Sequence, residues 1–498
     1  MKFYVTTPIY YVSAAPHIGT CYTTIAADCL ARYHRMKDDD VFFLTGSDEH
    51  GEKMVLAAEK NGLTPAEFTD RMVAIYKETW QRLNISYDRF IRTTENEHQR
   101  VVQHVFRTLL EKGDIFLGDY TGYYCIPCER FIPRTELGEG SPTCPDCGRP
   151  VGSISEKSYF FKLSKYQQQI QKFIEQNKEF VQPPFRFDEV YNFVTQGLTD
   201  LSITRRSVRW GIPSPTPEKY PVYVWFDALI NYLAGVGYPL DRQFVKYWPP
   251  DIQLLGKDIL RFHAIIWIAI LFALGLEPPR QIFAHGWWVM DKEKISKSKG
   301  NVVDPLQLCA TYGVDGFRYF LLREVPFGLD GEYSEEKFVK RYNSDLANDL
   351  GNLVNRTLNL FEKLFANRVQ AISISTQMEE MIESSARAYH LHMEKAAFSL
   401  AVEEVWKIVT FLNRMLDREK PWNAPRKNAE DILGQCLYGI KAVSIMLCPF
   451  MPESAQNIWS MLNLPYTTQT VRFSLLKQPP VPGTQLQERS ILFQRIKR

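Results

Sequence analysis

"AAPHIGTCYTTIAADCLARYHRM" (residues 14–36) decides the fold. It reads as a long amphipathic helix that opens near His17, with Pro16 and Gly19 at its mouth. Before it stands "KFYVTT" (residues 2–7), a buried strand by composition, and after it "DVFFLTG" (residues 40–46), a second short apolar strand. A further helix is marked where Thr64, Pro65 and Glu67 offer an N-cap, a first-turn proline and a capping-box acid. Strands alternating with helices imply a parallel α/β sheet.

Outward from there the pattern changes twice. From residue 117 to about 219 the chain carries turn residues, mixed polarity and four clustered cysteines, which reads as an insertion. "PVYVWFDALI" (221–230), "IQLLG" (252–256) and "QIFAHG" (281–286) then restore short apolar stretches of the α/β domain. From about residue 343 helical periodicity takes over, as in "MEEMIESSARAYHLHMEKAAFSLAVEEVWKIVTFLNRML", and predicts a separate helical bundle.

The bulk numbers bound the function. A chain of 498 residues implies three or four structural units. A net charge of +2 gives no global basic field, so any nucleic-acid contact must be a local patch. The N-terminus lacks the apolar core of a signal peptide, and the longest apolar run (264–276) is too short to span a bilayer and reads as a buried helix. Nine cysteines, five of them scattered singly in apolar settings, fit a reducing compartment and a cytoplasmic protein.

The other four form C-x2-C, fifteen residues, C-x2-C: Cys125, Cys128, Cys144 and Cys147. Two residues between thiolates let one tight turn present both sulfurs to one ion, and two such turns make a closed tetrahedral site. A structural zinc is the expected occupant, with iron, two disulfides or four free thiols as alternatives.

Two further signals concern phosphate. A helix N-terminus presents unpaired N–H groups and a partial positive charge. At this one Gly19 removes a side chain and His17 can donate to phosphate, although a lone histidine there is also an ordinary structural residue. "DKEKISKSKGN" (291–301) places Lys294 and Lys297 in a loop that can close over a polyphosphate and neutralise a leaving pyrophosphate. Alone, that loop reads equally well as a solvated charged surface.

Together, "HIGT" before the first crossover helix and "KISKS" after the last sheet strands resemble the paired signatures of class I aminoacyl-tRNA synthetases. "TPIYYV", "TGSDEHGEK", "YVWFDALINYL", "GKDILRFHAIIW", "KISKSKGNVVDP" and "YNSDLANDLGNLVNR" are similar, in order and over essentially the whole chain, to the methionyl-tRNA synthetase family. The resemblance implies a Rossmann-like catalytic domain (1–116 and 220–285), a connective insertion with the zinc knuckle (117–219), a stem-contact region with the KISKS loop (286–342) and a helical anticodon-binding domain (343–498). It implies activation of methionine by ATP, with Mg²⁺, to methionyl-adenylate and pyrophosphate. Transfer to the 3′ adenosine of tRNA(Met) follows, for initiation and elongation.

Site residues carry over by position. His17, Lys294 and Lys297 would be catalytic, and with Gly19, Thr20, Gly256 and Asp258 would bind ATP. Asp48 would take the α-ammonium of methionine, Ile9 would make main-chain contacts, and Tyr11 would wall the side chain. Trp225, Ala228, Leu229 and Tyr232, spaced to share one helical face, would shape the pocket with Ile259, Phe262 and His263. Aromatic rings suit a polarisable thioether, though such a stripe alone would read as plain core. Asn352, Arg356 and Trp422 resemble anticodon readers, asparagine and arginine for base edges and a bare indole for stacking.

Two positions depart from the family pattern. Thr20 stands where the first signature ends in histidine; its hydroxyl can bond a phosphate or ribose oxygen but carries no charge, so Thr20→His is expected to preserve or raise adenylation. Ile295 replaces a common methionine with another apolar side chain. Nothing after Leu476 is long enough for the C-terminal dimerising barrel of some members, which predicts a monomer. The alternatives are a tRNA-binding relative that has lost activation, or a class I enzyme for cysteine or leucine. A cysteine enzyme would put its metal at the substrate. A leucine enzyme would need a larger insertion than the stretch 117–219.

Overall fold

The computed structural model describes residues 1–126, 128–132, 137, 142–145, 147–290, 293–294 and 303–497, with backbone alone at 293 and 294. β1 (Lys2–Tyr11) lies inside a six-stranded sheet. α1 (Ile18–Met36) leads from it to β2 (Asp40–Asp48), and β3 (Arg89–Arg92) follows at the edge. On the other side of β1 come strands Ile252–Gly256, Ile282–His285 and Val181–Gln182. Every neighbouring pair is parallel. The winding reverses at β1, so a crevice opens above the carboxyl ends of β1 and Ile252–Gly256. Strand Val181–Gln182 belongs to the stretch read as an insertion, which thus lends an edge strand to the main sheet.

β1 is buried along most of its length, as a central parallel strand must be, and so reads as a continuous run rather than an alternation. Its ladder with β2 jumps from Thr6↔Leu44 to Ile9↔Gly46. Pro8 sits at that jump and has no N–H to give the ladder. The irregularity turns residues 8–11 toward the crevice.

α1 differs from the amphipathic reading. It is buried on all sides, with Thr23, Thr24, Asp28 and Arg32 inside. The reason is a second layer: Arg318, fully buried, donates to Asp28 Oδ2 at 2.6 Å and to the carbonyls of Leu83, Pro449 and Phe450. One face of the sheet, α1 and the C-terminal helices therefore share one apolar core. The helical region comprises Asn352–Phe365, Thr376–Glu394, Phe398–Glu419, Arg426–Leu447 and Pro452–Met461.

The opposite face of the sheet is covered by helix Asn96–Glu111, by Val224–Leu229 and Asn231–Ala234, and by the apolar run near residue 264. That run folds as a π-helical turn (Phe262–Trp267) and a helix (Ile268–Leu274), both buried. Among the described residues no helix is long and apolar enough to cross a membrane. The insertion forms a four-stranded antiparallel sheet in the order Arg130–Ile132, Ile115–Cys125, Gly152–Phe161, Leu201–Ser202. Near its cysteine end, Tyr124 and Phe131 pack with Tyr11, Tyr223 and Trp225. The capping box at Thr64 and Glu67 forms at the start of helix Pro65–Arg82.

Candidate active site

The mouth of α1 opens on the crevice. His17 is the N-cap, and its Nδ1 accepts the Gly19 N–H at 3.0 Å. Thr20 closes the other half of a capping box: its hydroxyl accepts the His17 N–H at 3.0 Å and donates to the His17 carbonyl at 2.8 Å. A Cβ on Gly19 would stand 2.9 Å from His17 Cε1. Glycine is therefore required here so that the imidazole can fold over the first turn. The Thr20 hydroxyl is committed to the His17 backbone, which differs from the expected contact with phosphate or ribose.

The cavity at this point brings together most of the residues singled out in the sequence. β1 contributes Ile9 and Tyr11, the helix mouth contributes His17, Gly19 and Thr20, and β2 ends on Asp48. Trp225, Ala228, Leu229 and Tyr232 form the facing wall, as their helical spacing requires. Gly256, Asp258, Ile259 and His263 complete it from beyond strand Ile252–Gly256. Gly256 makes room for Asp258, whose Oδ1 would lie 2.7 Å from an added Cβ.

Phe262 does not line this cavity. Its ring stacks on Trp225, with centroids 3.9 Å apart and planes 9° apart, and lines the neighbouring cavity with Arg261 and Trp287. It supports the wall rather than forming it. Only the backbone of Lys294 is described, in strand Glu293–Lys294, and Lys297 and Ile295 lie outside the described residues.

Asp48 is buried, and its Oδ1 has no hydrogen-bond partner among the described residues. Burial, then the nearby carboxylates Asp227 and Glu129, push its carboxyl well above the usual range. Tyr232 Oη and His263 Nε2 are 2.8 Å apart, while His263 Nδ1 donates to the Ile259 carbonyl at 3.0 Å. Burial lowers His263 to about 4, so at neutral pH the ring is uncharged and accepts the tyrosine proton. An uncharged aromatic wall faces the buried Asp48 carboxyl.

Beneath Trp225, Asp227 is fully buried between His50 Nδ1 and His98 Nε2, each at 2.6 Å. His285, Trp287 and Asn231 also line the cavity and were not singled out by sequence reasoning. His285 Nε2 accepts from Thr23 of α1 at 2.6 Å, its Nδ1 bonding the Gly286 carbonyl at 2.7 Å, and Trp287 Nε1 donates to Asp258 Oδ1 at 3.0 Å. The "HGWW" that ends strand Ile282–His285 was the available signal, since ligands gather at strand ends of such sheets.

The four cysteine sulfurs lie within 4.8 Å of one another, with Cys125–Cys147 at 3.6 Å and Cys128–Cys144 at 3.9 Å. A tetrahedron with Zn–S bonds of about 2.3 Å has edges of about 3.8 Å. The donor set therefore fits a tetrahedral metal and could hold one ion. In the helical region Asn352 and Arg356 lie one turn apart on helix Asn352–Phe365. The Arg356 guanidinium sits 5.9 Å from the Trp422 ring centroid and bonds Asp417 at 2.7 Å, and Trp422 is 43% exposed. These three share one surface.

A strand-end crevice at the reversal of a parallel sheet, with a helix mouth on it, defines a nucleotide-binding α/β enzyme. Residues 3–358 match the family model for tRNA synthetases class I (M). The chain is 45% identical to the methionine–tRNA ligase of Caldanaerobacter subterraneus subsp. tengcongensis, over 99% of this chain and 79% of that one. It is 46% identical to the methionine–tRNA ligase of Clostridium tetani, over 94% and 74%. The solved Mycobacterium tuberculosis methionyl-tRNA synthetase in complex with methionyl-adenylate superposes with a TM-score of 0.94 at 39% identity, covering 99% of this chain and 100% of that one. The chain belongs to the class I tRNA synthetases, in their methionine–tRNA ligase family.

Proposed function

We propose that this chain is a methionine–tRNA ligase: it joins methionine to ATP as methionyl-adenylate, releasing pyrophosphate, and passes the methionyl group to tRNA(Met). The observation that carries the reading is the buried Asp48 Oδ1, which has no hydrogen-bond partner among the described residues, facing the aromatic wall of Tyr11, Trp225 and Tyr232. It is a place for an ammonium group with an apolar tail.

In this reading Asp48 holds the α-ammonium, and Ile9 contributes main-chain contacts. Tyr11, Trp225, Ala228, Leu229, Tyr232, Ile259 and His263 enclose the thioether, with Phe262 behind Trp225. His17 and the first-turn N–H groups of α1 face the ATP phosphates, Gly19 and Thr20 hold that turn in shape, and Gly256 and Asp258 bound the nucleotide. A methionine carboxylate oxygen then attacks the α-phosphorus, and the bond to the pyrophosphate oxygen breaks. Lys294 and Lys297 neutralise the leaving charge. A ribose hydroxyl of the terminal adenosine next attacks the adenylate carbonyl, and AMP departs. The protein supplies position and charge rather than covalent chemistry. Mg²⁺ accompanies ATP. A zinc ion held by Cys125, Cys128, Cys144 and Cys147 would fix the fold of the insertion. Asn352, Arg356 and Trp422 read the anticodon. The setting is the cytoplasm and the unit a monomer, which fractionation and sedimentation test.

The experiment is amino-acid-dependent ATP–pyrophosphate exchange with all standard amino acids and no tRNA. Exchange with methionine alone is expected. Exchange with another amino acid overturns the pocket assignment, and silence from folded, zinc-loaded protein overturns the activity.

A further inference from the structure

Both walls of the amino-acid cavity are fastened to one residue that lies outside it, one through its carboxylate and the other through its main-chain carbonyl. Glu129 follows Cys128 directly, in the left-handed region (φ 49°), and is 1% exposed. Its Oε1 accepts the backbone N–H of Lys53 at 2.9 Å, and its Oε2 accepts the Tyr124 hydroxyl. Its own carbonyl accepts the Tyr223 hydroxyl at 2.7 Å.

The bonds to Lys53 and Tyr223 each lead to a wall. Lys53 is in the first turn of helix Glu52–Lys60, whose N-cap Gly51 has no side chain to cap with. Glu129 supplies an acceptor there from outside. Gly51 is at φ 103°, and a Cβ on it would stand 2.7 Å from Glu129 Oε1, so glycine makes the approach possible. Three residues before Gly51 stands Asp48. The Lys53 ammonium lies 4.9 Å from the centroid of Tyr11, a second pocket residue. On the other wall, Tyr223 is the N-cap residue of Val224–Leu229, the segment that carries Trp225 and Ala228.

We propose that Glu129 is a positioning residue that ties the cysteine knuckle to the Asp48 wall and the Trp225 wall at once, and so sets the geometry of the amino-acid site. The inference rests on the methionine reading for its substrate. It assigns Glu129 no contact with the substrate and no part in the ATP site at the mouth of α1.

The test is pyrophosphate exchange by the full chain bearing Glu129→Ala, Glu129→Gln or Tyr223→Phe, at varied methionine and varied ATP, with zinc content and thermal unfolding measured alongside. Glu129→Ala is expected to raise KM for methionine by about tenfold or more and leave KM for ATP within about threefold. Glu129→Gln is expected to stay within about threefold of wild type, because its amide oxygen can accept from Lys53 while its NH2 donates to the Tyr124 oxygen. Tyr223→Phe should move KM for methionine in the same direction by less. Zinc is expected to remain at one per chain, since all four thiols are kept. A merely structural loss would lower the active fraction, and with it kcat, without splitting the two KM values.

An unchanged KM for methionine in Glu129→Ala overturns the proposal, and so does an equal rise in both KM values. Glu129→Gln behaving like Glu129→Ala would show that charge rather than tethering matters, and overturns it too. If Glu129→Ala does not fold, Tyr223→Phe decides, and no change in its KM for methionine is fatal. Failure of the methionine reading itself looks different: wild type would then give no methionine-dependent exchange.

Discussion

Asp48→Asn keeps the shape of the amino-acid pocket and removes its charge, so it isolates what the carboxylate does. In the pocket the side chain is buried, Oδ1 has no partner among the described residues, and the carboxyl is held well above its usual range by burial and by Asp227 and Glu129. An arriving ammonium relieves both costs together. Breaking a buried ion pair by removing one partner costs about 3–5 kcal/mol. At about 1.4 kcal/mol per decade that is a loss of roughly two to four orders of magnitude in kcat/KM for methionine, with KM for ATP within about threefold. The stability effect has the opposite sign. A carboxyl whose pKa is raised by folding favours the fold at low pH and opposes it once pH rises through the raised value. Ligand-free Asp48→Asn should therefore be more heat-stable than wild type at pH 7, and the advantage should vanish below about pH 4, where an unfolded aspartate is also protonated. Pyrophosphate exchange at varied methionine and ATP, with thermal melts at both pH values, measures both. A kcat/KM for methionine within threefold of wild type, or a variant less stable at pH 7, would refute the reasoning.

Gly19→Ala drives a Cβ into the His17 ring and should cost about 1–2 kcal/mol of transition-state stabilisation, a roughly tenfold slower adenylation with KM for methionine unchanged. Single-turnover adenylate formation checks it. Thr20→His exchanges a hydroxyl engaged with the His17 backbone for an imidazole at the cleft. It is expected to hold or raise adenylation while lowering stability by about 1 kcal/mol through the lost cap, and a tenfold loss of rate would count against it. If Trp422 stacks on an anticodon base, as proposed, Trp422→Ala removes about 1–3 kcal/mol, so aminoacylation of tRNA should fall by roughly one to two decades while tRNA-free exchange is unaffected. His263, lowered to about 4 against about 6.5 unfolded, makes stability rise with pH through that window. Urea unfolding of wild type should lose about 2 kcal/mol more than His263→Gln between pH 7 and pH 5.

What could be read from the sequence was local. A cysteine pair two residues apart, a threonine three residues before a glutamate and a stripe at helical spacing each specify geometry over a few residues. The four sulfurs and the Thr64 cap were legible for that reason, whereas the Trp225–Tyr232 spacing showed only a shared face and the family resemblance made it a pocket wall. Phe262 shows the limit of the same reasoning. It adjoins His263 in sequence, but the π-helical turn directs neighbouring rings to different sides, and Phe262 ends behind Trp225. His285 and Trp287 are brought to the crevice by sheet order, about 270 residues beyond α1, and no short-range pattern announces that meeting.

α1 makes the same point from the side of packing. Its polar residues Asp28 and Arg32 mark a solvent face to any periodicity argument. In the folded chain they meet Arg318, which reaches from Val314–Arg323 and also holds the carbonyls of Pro449 and Phe450. A buried cation with a buried carboxylate and three carbonyls around it is satisfied, whereas any of them alone would be costly. The apparent solvent face is therefore an internal polar seam, and it joins the helix whose mouth opens on the crevice to the C-terminal helices. The amphipathic reading missed what stands on the other side of α1 because the residues that stand there are supplied by a part of the chain nearly three hundred positions away.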